Sequence, residues 1–567
     1  MRLLPILLAL AGLPALAHAQ LGTTSADFHQ PGTQPGGLTS GILPVFSCTF
    51  CHGNYEPAHE PYEWWSGGMM ANSMRDPVFQ AAMTIANQDL GSAGEFCMRC
   101  HTPGGFLAGR ATPADGSALI AQDFDGVSCH TCHRQVDPVA DPLNPPEDTA
   151  ILAALAELPT SAHNGQYVID PQDRRRGPFD LGPGFSYHQW LESPHHQEST
   201  NCATCHEVSN PAFSRVGGPV PAASDTYALN TLGAAHPTHE RTDEFPLERT
   251  YTEWALSSFG AGPVEMGGRF GGNKTAVSSC QDCHMPDTTG GACQDFLGPE
   301  VRSDLPQHAF LGANSWVPRA IYSLDTSLLL YPATHVNGQA QSVFEDVIAR
   351  NKAFLRAASD LELTKSGPNL VARITNQTGH KLPTGYGEGR RMWLNVKFYD
   401  AADALLAERG HYDTTTATLT TADTKVYERL DGLDASMAAL TGLPVGTSFH
   451  FALNNTIVKD NRIPPRGFTN AAFEAGQAQV VGASYADGQY WDDTSFAIPA
   501  GAAYAVVSVY HQTTSREYIE FLRDENTTDG KGQIAYDEWL LAGQSRPVLM
   551  DRRTFAFASQ KILPKRL

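Results

Sequence analysis

The sequence predicts a multidomain chain with two unlike parts: a mostly irregular, part-helical region over residues 20–320 and a β-rich, sandwich-like region over residues 361–567. Three observations support this division. All eleven cysteines lie between Cys48 and Cys293, in sequence rich in glycine, proline and polar residues. Residues 321–360 form a connecting segment with one amphipathic helical pattern. Alternation of apolar and polar residues, typical of half-buried strands, follows that segment.

Ten of the eleven cysteines form five copies of one short string, Cys-x-x-Cys-His, which we number motifs 1 to 5. Composition alone would produce roughly 0.01 such strings. The cysteine pairs are, in order, Cys48 and Cys51, Cys97 and Cys100, Cys129 and Cys132, Cys202 and Cys205, Cys280 and Cys283. The histidines that follow them are His52, His101, His133, His206 and His284.

This string is the attachment signal for c-type haem. Two thiols one helical turn apart reach the two vinyl groups of a porphyrin, and the next residue places an imidazole under the iron. Disulfides do not need a histidine after every second cysteine, and zinc sites combine pairs to reach four ligands, which leaves one of five pairs over. The motifs therefore predict five covalently bound haems c, with the motif histidines as iron ligands.

A second pattern repeats between the motifs. Each copy begins with Trp-x-x-Ser or Trp-x-x-Gly, at Trp65, Trp190 and Trp254. The residue five positions after the tryptophan is Met70, His195 or Phe259, respectively. Such repetition suggests a duplicated haem-holding unit.

The fifth position of this repeat suits an axial ligand on the far side of a haem. His195 has the required chemistry, although the adjacent His196 is an alternative. For Met70, ligation and packing against a flat apolar cofactor are equally open interpretations. Phe259 cannot ligate iron.

Two more histidines stand in settings that favour ligation. His308 lies in a glycine-bearing loop soon after motif 5, and His380 lies in a turn bracketed by Gly379 and Pro383. From that turn, His380 is expected to reach across to a haem of the first part. The last cysteine, Cys293, is open to interpretation as a buried free thiol, a thiolate ligand or an intermolecular contact; the first is preferred.

The connecting segment and the second part carry ordinary packing patterns. Ser342 and Glu345 form a capping box, and apolar residues follow at helical spacing to about Ser359. Alternating strands are expected at residues 370–374, 392–398 and 505–510. No cysteine occurs in this half, which therefore is not expected to attach haem.

The first residues predict export. Met1 and Arg2 precede an apolar run, and residues 17–19 form a small-x-small cleavage site, so residues 1–19 are expected to be a signal peptide that is cut after Ala19. The mature protein would then be periplasmic or extracellular and not integral to a membrane. The net charge of −21, from 60 acidic and 39 basic residues, disfavours nucleic acid as a partner.

With these motifs in view, the chain resembles multihaem cytochromes of the cytochrome c-552/4-like family. The resemblance depends on the five haem strings, the Trp-x-x-Ser repeats, the Cys280–Pro286 string and the Gly379–Gly385 loop, and covers roughly residues 45–385. It implies electron transfer outside the cytoplasm through mostly bis-histidine haems, with His308 and His380 as distal ligands. Met70 departs from the pattern set by His195.

Three functions are compatible with these residues. The preferred one is an electron carrier that exchanges electrons with other redox proteins. The second is an oxidoreductase that acts on a small nitrogen or sulfur compound at a five-coordinate haem. The third is a homo-oligomeric subunit of an extracellular cytochrome filament. The carrier is preferred over the enzyme because the sequence alone identifies no substrate pocket.

Overall fold

The fold is known from a computed structural model, which describes residues 20–183, 187–327 and 341–557. Residues 1–19, the predicted signal peptide, lie outside the described residues, so export stays a prediction. Among the described residues, no helix has the length and apolar character needed to cross a bilayer.

The first part is built from short helices joined by turns. The longest complete one, Pro77–Asp89, begins with proline at its first position and is capped by Asp76, whose carboxylate accepts a hydrogen bond from the Val78 amide at 2.8 Å. The α-helices of this part are Phe46–His52, Pro61–Ser66, Pro77–Asp89, Ala93–His101, Pro103–Leu107, Cys129–Cys132, Pro146–Ala153, Ser199–His206, Thr250–Ala255, Ser258–Ala261, Cys280–His284 and Val317–Ser327.

Strands in the first part form only small sheets. The largest has three strands, with Val208–Val216 between Thr226–Leu229 and Glu244–Glu248, all antiparallel. The other strands pair two by two: Gln135–Val136 with Val168–Ile169, Arg175–Gly177 with Trp190–Glu192, Val264–Glu265 with Ala276–Val277, and Asp287–Gly290 with Arg302–Pro306. The irregular, part-helical texture expected from the sequence is observed.

The second part contains two antiparallel sheets that share one hydrophobic core. One sheet has the order Ser359–Ser366, Asn369–Asn376, Trp491–Ala497. The other has the order Leu405–Arg409, Arg391–Tyr399, Tyr504–Gln512, Val548–Ala556, with Val426–Tyr427 also paired to Arg391–Tyr399. Leu370 and Ile374 of the first sheet and Leu394 and Val507 of the second are fully buried in that core. The three strands expected from alternation are confirmed.

The remaining strands of the second part are short and lie beside these sheets: Tyr412–Asp413, Thr418–Leu419, Arg429–Leu433, Gly446–Thr447 and Thr456–Asp460. Its helices are Ala435–Thr441, Asn470–Ala475, Arg516–Asp524 and Lys531–Leu541. The helix of the connecting segment spans Gln341–Ala357. Ser342 is therefore a helical residue and not the cap that the sequence predicts, while the apolar face of the helix, with Phe344 and Ile348, is buried as expected.

The two parts share hydrophobic clusters across the predicted boundary. Ala81 and Ile85 of the helix Pro77–Asp89 pack in one cluster with Tyr518 and Trp539 of the C-terminal helices. The side chain of Asn210 also donates a hydrogen bond to the Ala452 carbonyl at 2.8 Å. The predicted domain limits stay a prediction, but the two parts bury apolar surface against each other and enclose the cavity described next.

Candidate cofactor cavity

All five motifs face one continuous cavity of about 1820 Å³. All ten motif cysteines and all five motif histidines line it. Its volume exceeds the roughly 300–1,000 Å³ of ordinary small-molecule pockets, and its walls are mainly apolar. Such a space suits several large flat cofactors packed against one another rather than one small ligand.

Each motif lies on a helical turn, so its two thiols project from the same side of the helix. In motifs 3 and 5 a serine begins that turn. The Ser128 hydroxyl accepts a hydrogen bond from the Thr131 amide at 3.3 Å, and the Ser279 hydroxyl accepts one from the Asp282 amide at 3.1 Å. All eleven cysteines are free thiols in the structure. The motifs therefore hold paired thiols in the arrangement that thioether attachment needs.

Four motif histidines are oriented by a backbone carbonyl that lies far from them in sequence. Their Nδ1 atoms donate hydrogen bonds that leave Nε2 free to bind a metal, the usual arrangement for a ligating histidine. The pairs are His52 with Ala292 at 2.7 Å, His101 with Ser73 at 3.1 Å, His133 with Arg176 at 2.6 Å and His284 with Leu311 at 2.5 Å. Among the described residues, the ring of His206 has no such partner.

Burial favours the neutral, metal-binding form of these rings. It lowers the pKa of His101 and of His284 to about 4, even though the carbonyl partner acts in the opposite direction. Because a metal binds the neutral imidazole, these rings are ready to ligate at neutral pH.

Thiols of different motifs touch one another. Cys48 lies beside Cys129, Cys100 beside Cys205 and Cys202 beside Cys280, close enough in each pair for one thiol to shift the pKa of the other. In addition, Cys132 lies close enough to Cys202 for its charge to raise the pKa of the Cys202 thiol, after Cys280 and burial. Motifs 1, 3, 4 and 5 thus follow one another in space, and motif 2 lies against motif 4.

Two predicted distal ligands lie opposite motif histidines. The ring centroids of His284 and His380 are 6.4 Å apart, with the ring planes inclined by 30°. Those of His133 and His308 are 6.1 Å apart, inclined by 26°. An iron between two imidazoles, each bound at about 2 Å, separates the centroids by about 6 Å. Both pairs fit an axial pair on one iron.

The structure brings His196, and not His195, to the cavity. The His196 ring lines the cavity and lies 5.7 Å from the His133 ring, nearly parallel to it at 12°. His195 is buried behind the wall, with its Nδ1 atom 3.5 Å from Glu198 and 3.9 Å from Asp137. The repeat favours His195, whereas of these two neighbours His196 is the one that lines the cavity; which of them binds iron stays a prediction.

Two tryptophans of the repeat each donate a hydrogen bond to the backbone just before a haem motif. The Trp65 indole donates a hydrogen bond to the Val127 carbonyl at 3.0 Å, two residues before motif 3. The Trp254 indole donates one to the Ser278 carbonyl at 2.7 Å, two residues before motif 5. Met70 lines the cavity and packs in one cluster with Trp65 and Cys129. Met70 therefore packs beside motif 3, while its carbonyl and that of His101 in motif 2 both accept from the Ser73 hydroxyl, at 3.2 Å and 2.8 Å.

Several other residues line the cavity although no sequence pattern indicates them. His188, which the sequence does not distinguish from other histidines, lines the cavity, as do His511, Tyr386 and Arg390 of the second part. For His511, the one available signal in the sequence was its position at the end of an apolar strand. Cys293 also lines the cavity, near Cys51, and burial raises the pKa of its thiol.

No family model matches the chain, and no curated protein matches it. Among solved structures, the chain is similar to a penta-heme cytochrome c552 from Thermochromatium tepidum, with 15% sequence identity and a TM-score of 0.48 over 91% of this chain and 99% of that one. At this level the two chains are not shown to share a fold or a function.

Proposed function

We propose that the protein is an exported electron-transfer protein that attaches five c-type haems, one at each motif. The observation that carries the proposal is the single cavity into which all ten motif thiols and all five motif imidazoles project. When bound, haem supplies iron that alternates between two oxidation states. The chain's own residues bind the porphyrins, supply axial ligands and exclude water.

The order of the motifs in space supports transfer rather than five separate sites. Contacts between thiols join motifs 1 and 3, 4 and 5, and 2 and 4, and Cys132 of motif 3 lies near Cys202 of motif 4. Groups attached at these thiols would lie close together along the same series. Electrons would therefore pass between motif 1 and the opposite end without leaving the protein.

The axial ligands proposed opposite the motif histidines are His380 for motif 5 and His308 or His196 for motif 3. The ring of His308 is held by a hydrogen bond from Nδ1 to the Pro306 carbonyl at 3.2 Å, which leaves Nε2 available. In His196, Nε2 lies 3.2 Å from the Cys132 carbonyl and Nδ1 is buried without a partner. Two imidazole ligands keep an iron closed to small molecules, as an electron carrier requires.

Motif 1 is the natural site for exchange with another redox protein. Its helix, Phe46–His52, contains no buried residue, unlike the helices of motifs 2, 3 and 4. Because motif 1 also ends the series of touching motifs, a partner that docks there would be close to the first haem. The helices of motifs 2, 3 and 4 contain buried residues, so haems attached there would be better shielded from other reactants. The helix of motif 5 has no buried residue either, but the helix of motif 1 exposes two large apolar side chains, Phe46 at 75% and Phe50 at 72% of their area.

The proposal is tested by counting haems in variants expressed in a host that matures c-type cytochromes. Replacing both cysteines of one motif by alanine, for each motif in turn, should lower the count from five to four by pyridine haemochromogen absorbance and intact mass. Cys293→Ala is the matched control and should keep five. A wild-type protein without added porphyrin mass, or a Cys280/Cys283 double variant that keeps five haems, would contradict the proposal.

A further inference from the structure

One wall of the cavity is polar and comes mainly from the second part of the chain. Five residues line the cavity there: Tyr386, Glu388 and Arg390 of one loop, His511 of the strand Tyr504–Gln512, and Tyr518. We call these five residues the polar chamber. It lies beside motif 2, since Cys97 is among the groups that raise the pKa of Tyr386, although burial is the main cause.

Arg390 has no carboxylate partner. Its Nη1 atom donates a hydrogen bond to the Thr384 carbonyl at 2.7 Å, and its Nε atom is buried without any partner. No carboxylate of the described residues lies within 4.0 Å of its guanidinium. Gly385, at a φ of +79°, gives it space, because a Cβ there would lie 2.6 Å from Nη1. The loop is thus shaped to bring this cation into the cavity.

The other cations on the cavity wall differ from Arg390 in this respect. Each of them has a carboxylate oxygen within ion-pair distance, so its charge is already compensated. These pairs are Arg175 with Asp173 at 3.2 Å, Arg176 with Asp148 at 2.6 Å, Lys274 with Asp282 at 2.8 Å, Arg302 with Glu300 at 2.5 Å and Arg429 with Asp431 at 3.0 Å. A guanidinium is always charged, and a buried unpaired charge is costly. Glu248 and Asp76, which also line the cavity, act on Arg390 only beyond ion-pair distance, so its guanidinium can still take an anion as a direct partner.

Hydrogen-bond donors surround the same space. His511 is completely buried, and neither of its ring nitrogens has a hydrogen-bond partner. Burial, helped by the charge of Arg390, lowers its pKa to about 3, so the neutral ring offers one N–H. The hydroxyls of Tyr386 and Tyr518 lie 2.7 Å apart. Burial raises the pKa of Glu388 well above its usual range, which favours the protonated form of this carboxyl, a hydrogen-bond donor.

We propose that the polar chamber binds a small diffusible oxyanion, with Arg390 as its counter-charge and His511, Tyr386 and Glu388 as further donors. One cation and three neutral donors match an anion with several acceptor oxygens. A carboxylate carried by a bound cofactor would also pair with Arg390, but it would leave the neutral donors without a role. This inference goes beyond electron transfer, because it gives the cavity a ligand site beside motif 2.

The test is a titration of the haem-loaded protein with nitrite and with sulfite, followed by isothermal calorimetry and by difference absorbance. At least one of the two anions is expected to bind the wild type. Arg390→Gln should weaken that binding about 10- to 100-fold, because a charge-assisted hydrogen bond is lost. Tyr386→Phe should weaken it less. Arg391→Gln is the matched control: its side chain binds Gln512 at 2.9 Å, does not line the cavity, and its loss should leave the affinity unchanged.

Three results would overturn the inference. One is a wild type that binds neither anion, and another is an Arg390→Gln variant that binds as tightly as the wild type. The third is a His511→Ala variant in which a low-spin haem becomes high-spin by electron paramagnetic resonance, since His511 would then be an axial ligand that fills the chamber. Melting temperature and haem count of every variant separate these outcomes from misfolding and from failure of haem attachment.

Discussion

His380 lies 6.4 Å from His284, ring centroid to ring centroid, although the two residues come from different parts of the chain. A backbone carbonyl orients each ring at Nδ1. The Leu311 carbonyl accepts from Nδ1 of His284 at 2.5 Å, and the Lys381 carbonyl lies 3.2 Å from Nδ1 of His380. The two Nε2 atoms are therefore left to bind a common partner. In the proposed haem site of motif 5, the second part of the chain would thus supply the ligand opposite the one from the first part.

His380→Ala should open one iron while keeping all five haems. The covalent attachment at Cys280 and Cys283 does not depend on His380, but the sixth ligand does. We expect one low-spin signal to be replaced by a high-spin signal in the low-temperature electron paramagnetic resonance spectrum of the oxidised protein. The altered iron should bind cyanide, and added imidazole should restore the low-spin signal.

The control for this change is His411→Ala, which removes an exposed histidine whose partner is Glu408 at 3.3 Å. It should leave the spectrum as in the wild type. If His380→Ala keeps every haem low-spin and insensitive to cyanide, then His380 is not a ligand, and its position opposite His284 has another cause.

A buried ion network holds the His380 loop against the first part. The guanidinium of Arg462 pairs with Asp460 at 2.6 Å and with Glu253 at 2.8 Å. The amide of Lys381, next to His380, donates to Glu253 at 3.0 Å. Arg462→Met should therefore lower the free energy of unfolding by about 3–5 kcal/mol, because two buried carboxylates lose their shared partner.

Arg373→Met is the matched surface change. Arg373 pairs with Asp493 at 2.7 Å, but both side chains are exposed, with about 40% of their area accessible. Such pairs contribute about 0–1 kcal/mol. Urea-induced unfolding should show a clearly lower midpoint for Arg462→Met and little change for Arg373→Met. Similar midpoints for the two variants would show that the buried network does not stabilise the loop.

The cysteine motifs could be read from the sequence because covalent haem attachment is local. Cys280, Cys283 and His284 lie within one helical turn, so the linear string already specifies the attachment chemistry. The strands could be predicted for a similar reason, since buried residues such as Leu370 and Ile374 alternate with less buried ones along one strand. In both cases the relevant contacts repeat at a fixed short spacing.

The distal ligands and the polar chamber could not be predicted from the sequence in this way. Whether His195 or His196 faces the cavity depends on the short turn Pro194–Gln197, whose orientation no periodic pattern encodes. The sequence does not distinguish Arg390 from other arginines; the structure shows that it alone, among the described cations on the cavity wall, has no carboxylate within ion-pair distance. Such properties arise from contacts between residues hundreds of positions apart, which one sequence does not display.

The tryptophan repeat can be tested one copy at a time. Trp254→Phe removes the hydrogen bond to the Ser278 carbonyl, and Trp65→Phe removes the one to the Val127 carbonyl. Each change should cost about 1 kcal/mol or somewhat more. Amide hydrogen exchange should become faster in motif 5 for Trp254→Phe and in motif 3 for Trp65→Phe, so each variant is the control for the other. Equal effects on both motifs would contradict separate anchoring.

Glu244 makes stability depend on pH. Its carboxyl is completely buried; Asn164 donates to one oxygen at 2.6 Å, and the other oxygen has no hydrogen-bond partner, with Nδ1 of His236 3.9 Å away. Burial raises its pKa from 4.5 to about 8. Between these two values the folded protein binds a proton that the unfolded chain has released. The stabilisation is therefore complete below the pKa of Glu244 in the unfolded chain and is lost as pH rises through its pKa in the folded protein. Over that range the free energy of unfolding falls by up to about 1.4 kcal/mol per pH unit.

Glu244→Gln should remove this slope, because glutamine keeps the shape of the protonated acid and cannot ionise. Relative to the wild type, the variant is expected to gain stability steadily as pH rises from about 5 to about 8. Two histidines lie near Glu244: His163 and His236, whose pKa values burial lowers to about 3 and about 4. Both titrate in both proteins and largely cancel in the difference. Urea midpoints across this range measure the effect, with the exposed Glu362→Gln as a control that should run parallel to the wild type. A Glu244→Gln curve that also runs parallel to the wild type would mean that Glu244 is ionised in the folded protein at neutral pH.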